Sequence, residues 1–271
     1  MPELPEVETT RRGVAPLLLG RTISGVNVRN PRLRQPIIPE LAEVLAGLVL
    51  QAVDRRSKYL LFRFETGTLI VHLGMSGSLR IVPPGTLLRK HDHVEIYFDA
   101  LHSLRLHDPR RFGLMVWTQE PPQEHPLIRH LGPEPWDASF STDYLFERAR
   151  GRKVAVKNFI MDGRIVVGVG NIYASESLHR ARVHPNRSAG RISRDRYATI
   201  IDAVQEVLGE ALDVGGTTLR DFLKSDGEPG YFAQQLKVYG RAGEPCACGN
   251  ALIRQQVIGQ RSSFYCPKCQ H

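Results

Sequence analysis

The chain has 271 residues, 42% hydrophobic and 24% charged, a globular balance with room for one large domain or two to three small ones. Thirty-six Lys and Arg against 28 Asp and Glu give a net charge of +8, which points to a polyanionic partner such as nucleic acid. No stretch is apolar and long enough to span a membrane, and no basic segment precedes an apolar run at the N-terminus, so a cytoplasmic protein is expected.

A short helix is expected first: Pro5 suits a first turn, Glu6 and Glu8 complement the dipole there, and Arg11 and Arg12 lie further along. From Thr22 to Trp117 the pattern is that of strands. Leu60, Phe62 and Phe64 alternate with Tyr59, Leu61 and Arg63, Glu65-Thr66-Gly67 reads as a turn, and Thr68 to Leu73 reads as the return strand. Val94, Ile96 and Phe98 repeat the period, so the first domain is a sandwich or barrel. Five prolines between Pro121 and Pro135 mark a linker. Tyr197, Ile200, Ile201, Val204, Val207, Leu208, Ala211 and Leu212 form one helical stripe, with Ser193 as N-cap and Gly215-Gly216 as its end. Ser225 to Gly230 is a polar loop.

All four cysteines, Cys246, Cys248, Cys266 and Cys269, fall in the last 26 residues. In a reducing compartment that argues for a metal rather than disulfides. Seventeen residues separate Cys248 from Cys266, a spacing that fits a four-cysteine zinc ribbon, although the first pair has one spacer residue rather than two. Four thiolates would close the coordination sphere, so one structural zinc is expected. The intervening ALIRQQVIGQRSSFY reads as a hairpin turning near Gly259-Gln260, with Arg261 just beyond, where it can reach a phosphate.

Gly168-Val169-Gly170-Asn171 precedes an expected helix, Ile172 to Arg182, with Asn171 as candidate N-cap. Such a helix start can seat a DNA phosphate, but an ordinary capped glycine turn is the commoner arrangement. Lys58 shares a face with Leu60, Phe62 and Phe64, where it either snorkels to water or meets an anion. His72 lies on the face of Ile70, a position more often structural than catalytic. The loops Gly74-Met75-Ser76-Gly77 and Asp108-Pro109-Arg110-Arg111-Phe112-Gly113 offer Met, Arg and Phe on glycine-flanked turns; these are either core residues or wedges for a base stack. With Met1 removed, Pro2 presents a secondary amine, an appreciable fraction of which is unprotonated at neutral pH, and Glu3 beside it can act as general acid or base.

Taken in order, MPELPEVETT, RRSKYLLF, HLGMSGSLR, DPRRFG, HLGPEP, VGVGNIYASE, GGTTLRDF, SDGEPGYF, VYGR and the cysteine module resemble the formamidopyrimidine-DNA glycosylase family. The resemblance implies an α+β multidomain fold: a two-layered β-sandwich with a flanking helix (1–130), a linker (131–137), a helix–two-turn–helix domain (138–235) and a zinc-ribbon hairpin (236–271), with DNA in the cleft between. It implies a monomeric base-excision repair enzyme that removes oxidised purines from duplex DNA and then cleaves the strand by β,δ-elimination.

Carried over residue by residue, it gives Pro2 as Schiff-base nucleophile assisted by Glu3, and Lys58 at a phosphate near the lesion. Met75, Phe112 and one of Arg110 and Arg111 fill the gap left by the extruded nucleotide. Asn171 and Arg261 grip the backbone, with Lys157, Tyr239 and His72 as further DNA contacts. Glu176 and the loop of Ser225, Gly227 and Tyr231 face the flipped base. Two segments depart from the family pattern: the CxC pair, and Met161 to Arg164 (MDGR). The competing readings are the sister enzyme endonuclease VIII, which prefers oxidised pyrimidines, and a catalytically silent zinc-ribbon protein that binds damaged duplex. Leu4, the DPRRFG loop and the SDGEPGYF segment favour the purine enzyme over the first, and the joint presence of Pro2, Glu3 and Lys58 argues against the second.

Overall fold

The computed structural model describes residues 2–215 and 236–271. These fall into two compact units, one of residues 2–130 with 214–215 and one of residues 131–213 with 236–271.

In the first unit, helix α1 (Leu4–Leu18) begins at Glu3 with a capping box: the Glu6 carboxylate accepts the Glu3 N–H at 2.8 Å while the Glu3 carboxylate takes the N–H of Glu6. The reciprocal pair satisfies two donors that a helix start otherwise leaves open, worth about 1 kcal/mol. Eight strands follow: β1 (Gly25–Val28), β2 (Ala52–Arg56), β3 (Tyr59–Phe64), β4 (Gly67–His72), β5 (Ser78–Val82), β6 (Asp92–Tyr97), β7 (Ser103–His107) and β8 (Leu114–Thr118), with the short helix α2 (Leu41–Leu45) between β1 and β2. They pair antiparallel into two four-stranded sheets, ordered β2-β3-β4-β8 and β1-β6-β7-β5.

The period of two is the reason for the layering. Leu60, Phe62, Leu69 and Val71 of the first sheet and Leu79, Val94, Ile96, Leu104 and Leu106 of the second share one buried cluster with Val7, Val14 and Leu18 of α1. Gly67 is required where it stands, because a Cβ there would lie 2.5 Å from the Thr118 carbonyl of the neighbouring strand.

In the second unit, α3 (Thr142–Ala149), α4 (Val156–Met161), α5 (Asn171–Arg180) and α6 (Arg194–Asp213) precede the hairpin β9 (Arg254–Ile258) and β10 (Arg261–Tyr265). The α6 stripe is buried from Tyr197 to Ala211, and Ser193 caps the helix by accepting the Arg196 N–H. The MDGR segment ends α4, with Asp162 as C-cap paired to Arg164.

Candidate functional site

The sequence-predicted residues gather into two groups, one in each unit. In the first, Pro2 and Glu3 are buried at the start of α1. Lys58 is not on a strand face as its spacing suggested. Ser57 and Lys58 form the two-residue turn between β2 and β3, with Ser57 in the left-handed region at φ 57°. A two-residue hairpin selects such a conformation because its twist matches the strands, and it projects Lys58 from the sheet end rather than from the core face.

His72, opposite Tyr59 in the next strand, packs its ring 4.9 Å from the tyrosine ring. Burial, with the Lys58 and Arg34 cations, lowers it to about 4, so it is neutral at physiological pH. Its Nδ1 accepts the Gly74 N–H at 2.9 Å, which makes it a support for the Met75 loop.

The two wedge loops are one construction. A Cβ at Gly74 (φ 66°) would lie 2.4 Å from the backbone of Phe112 and Gly113, so only glycine lets them approach. The fully buried Asp108 carboxylate accepts Ser76 Oγ at 3.2 Å and the Gly113 N–H at 2.8 Å, joining the loops. Met75 is half-buried rather than fully presented. Phe112 is 43% exposed, with the Arg110 guanidinium 4.8 Å above its ring, while Arg111 takes a left-handed backbone conformation.

In the second unit, Lys157 is fully buried on α4. Its ammonium donates to Asn171 Oδ1, to the Ser262 carbonyl at 3.1 Å and to Ser263 Oγ at 2.6 Å. Three donors meet three acceptors, which offsets a desolvation cost of several kcal/mol. Lys157 therefore ties α4 and α5 to β10. Asn171 is the first residue of α5 and not its N-cap, a place taken by Gly170. Its side chain turns instead to the hairpin, donating to the Ser262 carbonyl at 3.0 Å and to Tyr239 Oη at 3.4 Å.

The Glu176 carboxylate accepts the backbone N–H groups of Lys237, Val238 and Tyr239 at 2.8 to 2.9 Å, bracing the segment that leads into the ribbon. Ser225, Gly227 and Tyr231 lie outside the described residues. Sequence reasoning missed Asp108, Ser76 and Ser263 as partners; a buried acid and two small hydroxyls next to candidate residues were the only signal.

The hairpin turns at Gly259-Gln260, whose φ values of 55° and 62° are those of a two-residue primed turn, and Arg261 stands exposed beyond it. The four cysteine sulfurs lie within 4.8 Å of one another. Cys246–Cys269 and Cys248–Cys266 are each 3.8 Å apart, close to the edge of about 3.8 Å expected of a tetrahedron with Zn–S bonds of about 2.3 Å. The single-spacer pair thus still brings all four sulfurs within 4.8 Å of one another, and in its turn Gly249, at φ 71°, returns its N–H to the Cys246 carbonyl. Burial and then the neighbouring thiols push Cys269 up, whereas the Asn250 N–H brings Cys248 down to about 7. Thiols so crowded ionise together only around a cation, and zinc fits the donor set.

Residues 1–115 match the family described as formamidopyrimidine-DNA glycosylase N-terminal domain, and residues 131–223 its H2TH domain. The chain belongs to the formamidopyrimidine-DNA glycosylase family. It is 56% identical over 270 residues to the formamidopyrimidine-DNA glycosylase of Syntrophotalea carbinolica, covering 100% of both chains. With that of Stenotrophomonas maltophilia it shares 57% over 271 residues, again with 100% coverage of both. Among solved structures, MutM (Fpg) of Thermus thermophilus superposes with a TM-score of 0.89 at 38% identity, covering 99% of this chain and 98% of that one. A mutant Fpg of Lactococcus lactis, solved in complex with DNA containing Fapy-dG, gives a TM-score of 0.91 at 32% identity with 100% coverage of both. Among the described residues, no helix is long and apolar enough to cross a membrane.

Proposed function

We propose that this member of the formamidopyrimidine-DNA glycosylase family is a bifunctional glycosylase and AP lyase that excises oxidised purines, 8-oxoguanine and formamidopyrimidines, from duplex DNA as a cytoplasmic monomer. One observation carries the reading: the second residue is a proline, buried immediately before Glu3, the N-cap of α1, in a chain matched end to end by relatives of that name. The division at 1–130, 131–137, 138–235 and 236–271 is part of the same proposal.

With Met1 removed, the Pro2 nitrogen attacks C1′ of the flipped nucleotide. The N–C1′ bond forms as the bond to the base breaks, and the base leaves with that electron pair and a proton. The sugar ring then opens: O4′ takes the C1′–O4′ pair and a proton, which Glu3 is placed to supply, and the amine lone pair completes an iminium ion. The iminium acidifies C2′. Loss of that proton sends electrons through the conjugated system and expels the 3′ phosphate; a second elimination expels the 5′ phosphate. Lys58, at the hairpin tip, holds a phosphate beside the reacting sugar. Met75, Arg110 and Phe112 fill the vacated stack, with Arg110 favoured over Arg111 because its guanidinium already stacks on Phe112. Asn171, Tyr239 and Arg261 contact the backbone, and Lys157 orients Asn171 and β10 for it. The four cysteines would hold a structural zinc, which would fix the ribbon that carries Arg261 without taking part in bond making.

The test is a comparison of duplexes carrying 8-oxoguanine opposite cytosine with duplexes carrying thymine glycol. The 8-oxoguanine duplex should be cleaved faster; a strong preference for thymine glycol would reassign the chain to the pyrimidine-preferring activity.

A further inference from the structure

Three arginines converge on one carboxylate that the mechanism does not use. Glu8, on α1 and largely buried, accepts Arg11 at 2.8 Å and Arg12 at 3.0 Å from its own helix and Arg55 Nε at 3.3 Å from β2. Arg11 also donates to the Val53 carbonyl of β2 at 3.3 Å. Arg55 forks: its Nη1 donates to the Ser57 carbonyl at 2.9 Å, so one guanidinium joins Glu8 to the residue immediately before Lys58. Burial opposes ionisation of Glu8, but the hydrogen bonds and charges of Arg11, Arg12 and Arg55 outweigh it and hold the carboxyl below its usual range. The group is an anion at neutral pH.

We propose that Glu8 and Arg55 are positioning residues, a brace that fixes the start of α1, with Pro2 and Glu3, relative to the β2–β3 turn that carries Lys58. Glu8 lies five residues beyond the helix N-cap, about 7.5 Å along a rigid helix, so the anchor transmits directly to the first turn. Ser57 holds the left-handed backbone that the two-residue turn selects, and the Arg55 bond to its carbonyl ties that turn to Glu8. A misplacement of about 1 Å between nucleophile and phosphate holder costs on the order of a hundredfold in rate. Because Glu8 and Arg55 touch neither sugar nor base in this scheme, breaking the brace slows chemistry without weakening the grip on DNA.

The inference rests on the reading of Pro2 as nucleophile, so both are tested together on the full-length, zinc-loaded protein. Single-turnover excision of 8-oxoguanine, borohydride-trapped adduct, the Kd for duplex with a tetrahydrofuran abasic analogue, and Tm are measured for the parent, Glu8→Gln, Arg55→Lys and the double variant. Each single variant should excise about 10- to 100-fold more slowly, with Kd within about twofold of the parent. The double variant should be no slower than the worse single, since the residues act as a unit. Arg55→Lys keeps the charge but loses the fork, so it decides the matter should Glu8→Gln fail to fold. A folded Arg55→Lys that excises at the parental rate would overturn the brace, as would rate and affinity falling equally, or additive losses in the double variant. Absence of any trapped adduct in the parent would instead overturn the Pro2 reading.

Discussion

Burial and the Lys58 and Arg34 cations bring His72 down to about 4, which leaves its Nδ1 free to accept the Gly74 N–H. An unfolded histidine titrates near 6.5. Between that value and about 4 the unfolded chain binds a proton that the folded chain refuses, so stability falls as pH drops through this window and is complete above it. The contribution is on the order of 3 kcal/mol. In urea titrations from pH 7.5 to 4, His72→Asn, which keeps an acceptor without the charge, should lose part of the pH slope seen in the parent. Identical slopes would remove His72 from the account.

Met75 makes a second residue-scale prediction. Met75→Ala should slow lesion excision about tenfold or more while leaving affinity for undamaged duplex nearly unchanged, and equal losses in both would argue against a wedge. Residue types were readable in the sequence, but their partners were not. The spacing of Lys58 was compatible with a strand face, and only the two-residue length of the turn, which depends on which strands pair, removed it from that face. Asn171 had the chemistry of a cap, yet its side chain is claimed by Lys157 of α4, by Tyr239 and by the Ser262 carbonyl of a hairpin some ninety residues away. Glu8 looked like a dipole complement and is the hub of an arginine cluster.

At the scale of elements, the ribbon hairpin depends on its metal. Its own apolar cluster is small, Val238, Cys246, Ile253, Phe264 and Cys266, too little apolar surface for such a hairpin to fold by itself. About one zinc per chain is therefore expected by metal analysis. Chelation should strip hydrogen-exchange protection from β9 and β10 while that of β3 and β4 persists. Active protein without metal, or a protected hairpin in its absence, would contradict this.

Elements set by a clear period were legible: β3, β4, β6, α6 and the hairpin between the cysteine pairs. The short helices α2, α3 and α4 were not singled out, because helices of five to eight residues carry too few turns to display a stripe. Their form comes from tertiary packing, as the buried Lys157 on α4 illustrates. The helix–two-turn–helix arrangement was readable only through the resemblance.

For the whole molecule, the net charge of +8 bears on how duplex DNA is held. Basic groups that neutralise phosphates release counterions, so log K should fall with log salt with a slope of about −3 or steeper, corresponding to three or more phosphates. A flat response between 50 and 200 mM salt, roughly the range over which such binding weakens most visibly, would deny an electrostatic grip. Composition alone already pointed toward a polyanion, but it did not distinguish a reader of damaged DNA from an enzyme. That distinction rests on a single atom, the Pro2 nitrogen, and on its release from Met1. Borohydride reduction of the protein with 8-oxoguanine duplex, followed by peptide mass spectrometry, tests it most directly. One covalent adduct is expected on a chain beginning at Pro2, lost in Pro2→Gly; no adduct, or one that persists undiminished in Pro2→Gly, would rule out the proline nucleophile.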